Sequence, residues 1–169
     1  DALPIYEDIG RHAPGFSEYT ELRVQENRTM RISLLNGDVV GNSRGAQAGL
    51  SARAFKDGVW GFASSPLTGV SDVDGGSIRA AVDRAAANAR FLGARESAGA
   101  IARGPLPSRP GAASIDFSTK KPRKTQKELI EFIRAIDAYC VKFYPGLSSR
   151  SVSLSCLDME KTLLTADGA

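Results

Sequence analysis

The single histidine, His12, and the two cysteines, Cys140 and Cys156, are the first residues to test for chemistry. A zinc site draws three or four closely placed ligands from Cys, His and carboxylates. These three residues are widely separated in sequence, with neither a His-Glu-x-x-His helix nor a Cys-x-x-Cys pair, so they define no metal site. A Ser-His-carboxylate or Cys-His arrangement would need a nucleophile with supporting context beside His12. None is evident, and His12 reads as an ordinary structural residue of the N-terminal segment. The cysteines fall on a helix and a strand and read as two buried free thiols, too few for a disulfide scaffold.

Carboxylates offer a second route. Asp72 and Asp74 share a side if extended, and Glu128 and Glu131 lie on neighbouring helical turns; either pair could bind a cation or flank a substrate. Caps and ion pairs account for such pairs more often, so neither is assigned. Gly41, Gly45 and Gly49 recur every four residues, but no Gly-rich loop leading to Lys-Ser or Lys-Thr accompanies them. They read as bends or close packing between strands. No catalytic, cofactor-binding or metal-ligating residue is therefore assigned in this chain.

The net charge of +3 is unevenly spread. Between Arg103 and Lys127 seven basic residues face only Asp116, which leaves the rest of the chain net acidic. Lys120, Lys121, Arg123 and Lys124 are candidate contacts for an acidic partner. Phe117 is the only aromatic ring in that stretch, and neither finger spacing nor a recognition helix accompanies it, so nucleic acid is the weaker alternative. No run of about 20 apolar residues could cross a bilayer as a helix. The opening Asp1-Ala2-Leu3-Pro4 lacks the basic and apolar stretches of a leader, and a cytoplasmic setting is expected.

The elements that must position these groups follow from periodicity. After a short helix remnant over residues 3–13, Leu22, Val24 and Glu26, then Met30, Ile32 and Leu34, alternate with polar neighbours, which predicts two antiparallel strands separated at Asn27-Arg28. Asn36-Gly37 and Asp57-Gly58 are tight-turn signals, giving a four- or five-strand meander between Tyr19 and Ser64. Trp60 and Phe62 alternate with Gly61 and Ala63; the rings are expected in the core, with ligand stacking the second reading.

A helix is predicted over Ser77–Leu92, with a narrow alanine face suited to close approach. An irregular crossover with a short strand at Ser114–Phe117 follows. Thr125 and Glu128 form a capping box that starts a second helix. Its apolar stripe is expected to be Leu129, Phe132, Ile133, Ile136, Cys140 and Phe143. Val152, Leu154 and Cys156 alternate in a further strand, and Lys161–Thr165 is expected to return beside it. Ending near the Asp167-Gly168 turn signal, the chain reads as part of a larger architecture. The predicted class is α+β, an antiparallel meander covered by two amphipathic helices.

Several segments together resemble a known family. They are Glu21-Leu22-Arg23-Val24-Gln25-Glu26, Asn36-Gly37, Gly49-Leu50-Ser51-Ala52-Arg53 and Asp57-Gly58-Val59-Trp60-Gly61-Phe62-Ala63-Ser64-Ser65. Their order resembles the amino-terminal region of the TldD/PmbA family, whose pattern has a Gly-x-x-x-Arg strand, an Asp-Gly turn and a Gly-Phe-Ala segment. The resemblance implies zinc-dependent peptide hydrolysis by homo- or heterodimers. Its TldD-type members carry a His-Glu-x-x-x-His helix and a later Cys ligand, with zinc polarising a carbonyl or activating water and the Glu acting as base.

His12, Cys140 and Cys156 do not match those ligands. The resemblance therefore implies a scaffold and subunit- or substrate-contact region, with zinc held elsewhere in the parent protein or by its partner. A noncatalytic PmbA/TldE-type subunit is the alternative. Arg53, Trp60, Gly61 and Phe62 are candidate structural or substrate-channel contacts. The divisions expected on this basis are an N-terminal segment at 1–18, the meander at 19–65, helices and basic crossover at 77–146, and the start of a further sheet region at 150–169. The family's older name, modulator of DNA gyrase, is no evidence for DNA binding.

Overall fold

A computed structural model describes residues 19–56, 58–69, 72–95, 113–117 and 120–166. The expected helix remnant at 3–13, His12, Asp57, most of the crossover and the Asp167-Gly168 turn lie outside the described residues. The elements run β1 (Thr20–Leu35), β2 (Asp38–Lys56), β3 (Val59–Leu67), α1 (Gly75–Gly93), α2 (Gln126–Phe143) and β4 (Ser151–Thr165). The four strands form one antiparallel sheet in the order β3-β2-β1-β4. The α+β class is as predicted.

The number of strands is not. The two expected strands before Asn36 are one 16-residue strand, and the two expected between Asp38 and Phe55 are one 19-residue strand. Ser151–Thr165 is likewise continuous where a return was expected. The physical reason is parity. Leu22 and Val24 are buried on the same alternation as Ile32 and Leu34, so the chain crosses Asn27-Arg28 without changing face and has no cause to turn. The turns that do form have left-handed backbones, at Asn36 (φ 51°) and Gly37 (φ 92°), and at Gly58 (φ 82°). Tight hairpins require this conformation and Asn and Gly tolerate it. Residues 114–117, expected as a short strand, have no strand structure. Phe117 is almost fully exposed, so no packing holds them extended.

The chain divides into two compact units. The first comprises residues 1–27, 47–114 and 159–169. Its core joins Leu22, Val24, Leu50, Ala52, Ala54, Ala63 and Leu164 from the strands to Ile78, Ala81 and Ala85 of α1. Asp74 caps α1 by accepting from the Ser77 amide at 2.6 Å, while the Ser77 hydroxyl accepts from the Asp74 amide at 3.1 Å. The alanine face does approach its strand closely. A Cβ built on Gly61 would lie 1.9 Å from the Ala85 carbonyl oxygen and 2.4 Å from the Ala89 nitrogen, so only glycine fits. The Asn88 amide then donates to the Phe62 carbonyl at 2.8 Å, occupying an acceptor of an edge strand. Pro66 is tolerated because β3 is that edge.

The second unit comprises residues 28–46 and 115–158. Ile32, Leu34 and Ile133 form its buried centre, with Met30, Leu129, Ile130, Val152 and Leu154 packed around them. The capping box at the start of α2 is as predicted, with Thr125 accepting from the Glu128 amide and Glu128 accepting from the Thr125 amide. Its expected buried stripe needs correction. Ile133 is buried, but Phe132 is 56% exposed and Phe143 52% exposed, with Ile136 also on the outside. The second fully covered position is Asp137. Its carboxylate accepts from Arg150 Nε at 3.0 Å and Nη2 at 3.4 Å. Arg150 also receives the Asn36 amide on its carbonyl and donates its own amide to Asn36 Oδ1, both at 2.9 Å. This polar cluster turns α2 so that the aromatic side faces away from the core.

Candidate functional site

The sheet register assembles most of the residues singled out from sequence. In the β2–β3 hairpin, Phe55 pairs with Trp60, Arg53 with Phe62, and Ala54 with Gly61. Paired residues share a face and successive residues alternate. Ala52, Ala54, Gly61 and Ala63 consequently turn inward, while Arg53, Phe55, Trp60 and Phe62 take the other side of the hairpin. The expectation that the Trp60 and Phe62 rings enter the core is thus corrected. α1 comes so close that only small residues fit beneath it, and the rings are displaced to the open face. Phe62 is 56% exposed. Arg53, Trp60 and Phe62 are brought together, and Gly61 is separated from them as a packing residue.

On this face the Arg53 guanidinium lies 4.3 Å from the Trp60 ring centroid and 3.2 Å from the Glu21 carboxylate. Tyr19 meets Trp60 edge-on at 5.8 Å, and Phe55 meets it at 5.2 Å and 55°. A cation held over a ring in such a partly exposed position contributes about 0.5–1 kcal/mol. The ion pair with Glu21 further fixes the guanidinium. The result is a small platform of aromatic surface with one oriented set of donors, suited to recognising an apolar or carbonyl-bearing chain. Tyr19, Phe55 and Glu21 were not singled out from sequence. Phe55 follows from counting back from the Asp57-Gly58 turn, since it must then face Trp60.

The remaining candidates have local roles. Asp72 accepts from the Thr68 hydroxyl and, at 3.2 Å, from the Gly69 amide, and Asp74 is the cap of α1. Glu128 is committed to its capping box and to Lys124 at 2.9 Å. The Thr125 amide first, then Lys124 and the Thr125 hydroxyl, lower its pKa from 4.5 to about 2. Glu131 lies 4.0 Å from Lys127. Within the basic run, Arg123 pairs with Asp158 and Lys124 with Glu128, so at least two of the four candidate cations are engaged locally. Cys140 and Cys156 are partly buried free thiols. Among the described residues no three His, Cys, Asp or Glu side chains converge to hold a metal ion. Zinc, which the family resemblance implies, does not fit the residues described, and no catalytic step is assigned through it.

With this geometry in place, the relationship to known proteins can be stated. Residues 20–89, spanning β1 to most of α1, match the family described as PmbA/TldA metallopeptidase domain 1. No curated protein matches the chain. The fold recurs in a crystal structure from Thermotoga maritima MSB8 described as a "putative modulator of a DNA gyrase", with a TM-score of 0.69 and 13% identity over 98% of this chain and 35% of that one. TldE from Thermococcus kodakarensis gives a TM-score of 0.59 and 17% identity over 97% of this chain and 35% of that one. A further protein described in the same gyrase-modulator terms, from Bacteroides thetaiotaomicron VPI-5482, gives 0.61 and 13% over 98% of this chain and 36% of that one. This chain is similar to that family's first domain over residues 20–89 and spans about a third of the length of these solved structures.

Proposed function

We propose that this chain is the N-terminal scaffold and subunit- or substrate-contact region of a cytoplasmic TldD/PmbA-type zinc metallopeptidase acting on peptides. The observation that carries the reading is the match of residues 20–89 to a metallopeptidase first domain. The ordered platform of Arg53, Trp60 and Phe62 lies within that stretch. On this reading the zinc ligands and general base belong to other parts of the parent protein or to its partner subunit, and this chain supplies surface. The platform has the chemistry for holding a peptide: rings for apolar side chains and a fixed guanidinium for carbonyl or carboxylate oxygens. The engagement of Arg123 and Lys124 in local ion pairs supports this reading over a nucleic-acid or acidic-partner function for the basic run.

The test is elemental analysis and peptide cleavage with the 169-residue chain, alone and mixed with a subunit carrying the His-Glu-x-x-x-His motif. The chain alone should hold no stoichiometric zinc and cleave nothing. In an active complex, Arg53→Ala and Trp60→Ala should each lower kcat/KM by roughly tenfold, equivalent to about 1.4 kcal/mol of transition-state stabilisation. Stoichiometric zinc with cleavage by the chain alone would defeat the reading.

A further inference from the structure

Between the start of β2 and one flank of α2 lies an open groove of about 460 Å³, lined by Val39, Gln126, Lys127, Ile130, Glu131 and Arg134. All six residues belong to the second unit. The volume falls at the lower end of ligand-sized pockets, roughly 300–1,000 Å³. Val39 and the partly buried Ile130 supply apolar surface. Three exposed charges of alternating sign, Lys127, Glu131 and Arg134, follow one another at intervals of four and three residues, so they lie along one side of the helix. They barely satisfy one another. Glu131 meets Lys127 only at 4.0 Å, and Arg134 forms no hydrogen bond or ion pair among the described residues.

We propose that this groove binds a small zwitterion with an apolar body, of the size of a dipeptide. Its ammonium group meets Glu131, its carboxylate meets Arg134, and its side chains lie against Val39 and Ile130. Charge spacing selects the ligand. Residues three apart on a helix hold their Cβ atoms about 5–6 Å apart. The terminal charges of an extended dipeptide are separated by roughly 7 Å, two residues at about 3.3–3.6 Å each, which two flexible side chains can span. A free amino acid carries both charges on one carbon, too close together to engage both ends, and a longer extended peptide sets them too far apart. Arginine suits the carboxylate end because its planar fork can meet both oxygens. Lys127, on the other side of Glu131, competes with the ligand's ammonium group. The inference rests on the second unit alone and is independent of the metallopeptidase reading, whose platform lies on the β2–β3 hairpin.

Titrating the 169-residue chain with leucyl-leucine, leucine and N-acetyl-leucyl-leucine amide tests the proposal, read by calorimetry and by NMR shifts of the amides of residues 126–134. Leucyl-leucine should bind saturably in the millimolar range and shift those amides. The other two should bind about fivefold more weakly or worse, since neither makes the two-ended contact. Glu131→Gln and Arg134→Gln should each weaken leucyl-leucine by about three- to fivefold, the range of one exposed ion pair, with an unchanged circular dichroism spectrum. Lys127→Gln, which frees Glu131, should leave binding equal or tighter. Exchanging the charges, with Glu131→Arg and Arg134→Glu together, should restore it, because the ligand can turn end for end. Equal binding of the capped dipeptide would reduce the groove to an apolar patch and overturn the proposal. Leucine binding as well as the dipeptide, leucyl-leucine binding untouched by the Glu131 and Arg134 variants, or no saturable binding would each overturn it too.

Discussion

The two helices solve the same problem, covering a sheet, in opposite ways. α1 presents Ala81, Ala85 and Ala89 and settles so close to β3 that Gly61 cannot carry a side chain. α2 places Ile133 and the paired Asp137 inward and leaves four large apolar residues on its outer side. A helix that packs through small residues holds its strand by close approach. One that packs through a large side chain and an ion pair can offer a second face.

The contrast predicts unequal responses to substitution. Gly61→Val should have the largest effect. Its side chain meets backbone atoms of α1, which cannot swing aside, so a loss of about 3 kcal/mol or more is expected, as an early unfolding midpoint in urea. A midpoint equal to wild type would mean that α1 does not seat as described. Ile133→Ala should cost about 2–5 kcal/mol, through lost burial and a cavity at the centre of the second unit. Phe132→Ala, one residue away, should change stability by less than about 1 kcal/mol, because more than half of its ring already meets solvent. Equal losses for the two would erase the distinction between the faces of α2.

The smallest expected effect is a pH dependence confined to the start of α2. Glu128 is held at a pKa of about 2 against an ordinary 4.5. A carboxylate lowered on folding stabilises the folded state above its unfolded value, and that contribution declines as pH falls from about 4.5 through about 2. Helix content of the wild-type chain should therefore fall slightly across this window, and Glu128→Gln should flatten the response. An unchanged profile in that variant would show that the cap does not govern it.

Much of this contrast was legible in the sequence. Thr125 and Glu128 marked the first turn of α2. The alanine spacing of α1 gave both its helicity and its narrow face. The direction in which α2 faces was hidden because two apolar stripes overlap on it. What selects between them is a buried charge, Asp137, whose partner Arg150 lies 13 residues on. Apolar periodicity cannot register such a pair. The Asp72 and Asp74 pair likewise suggested a cation, until the Ser77 and Gly69 amides gave each carboxylate a local donor. For Arg53, Trp60 and Phe62, alternation placed the residues on one side, but could not say which side was the interior.

The Asn36-Gly37 turn has a consequence for how the chain finds its fold. It joins strands of 16 and 19 residues, and every inward side chain in both depends on a pairing that repeats every second residue. A slip of one position at the turn would send Leu22, Val24, Ile32 and Leu34 to the solvent side together. The turn therefore works like the first tooth of a zip, and its hold on Arg150 acts as a check that closure has started in phase. Inserting a single residue between Asn36 and Gly37 should slow refolding more than it accelerates unfolding, as stopped-flow rates would reveal.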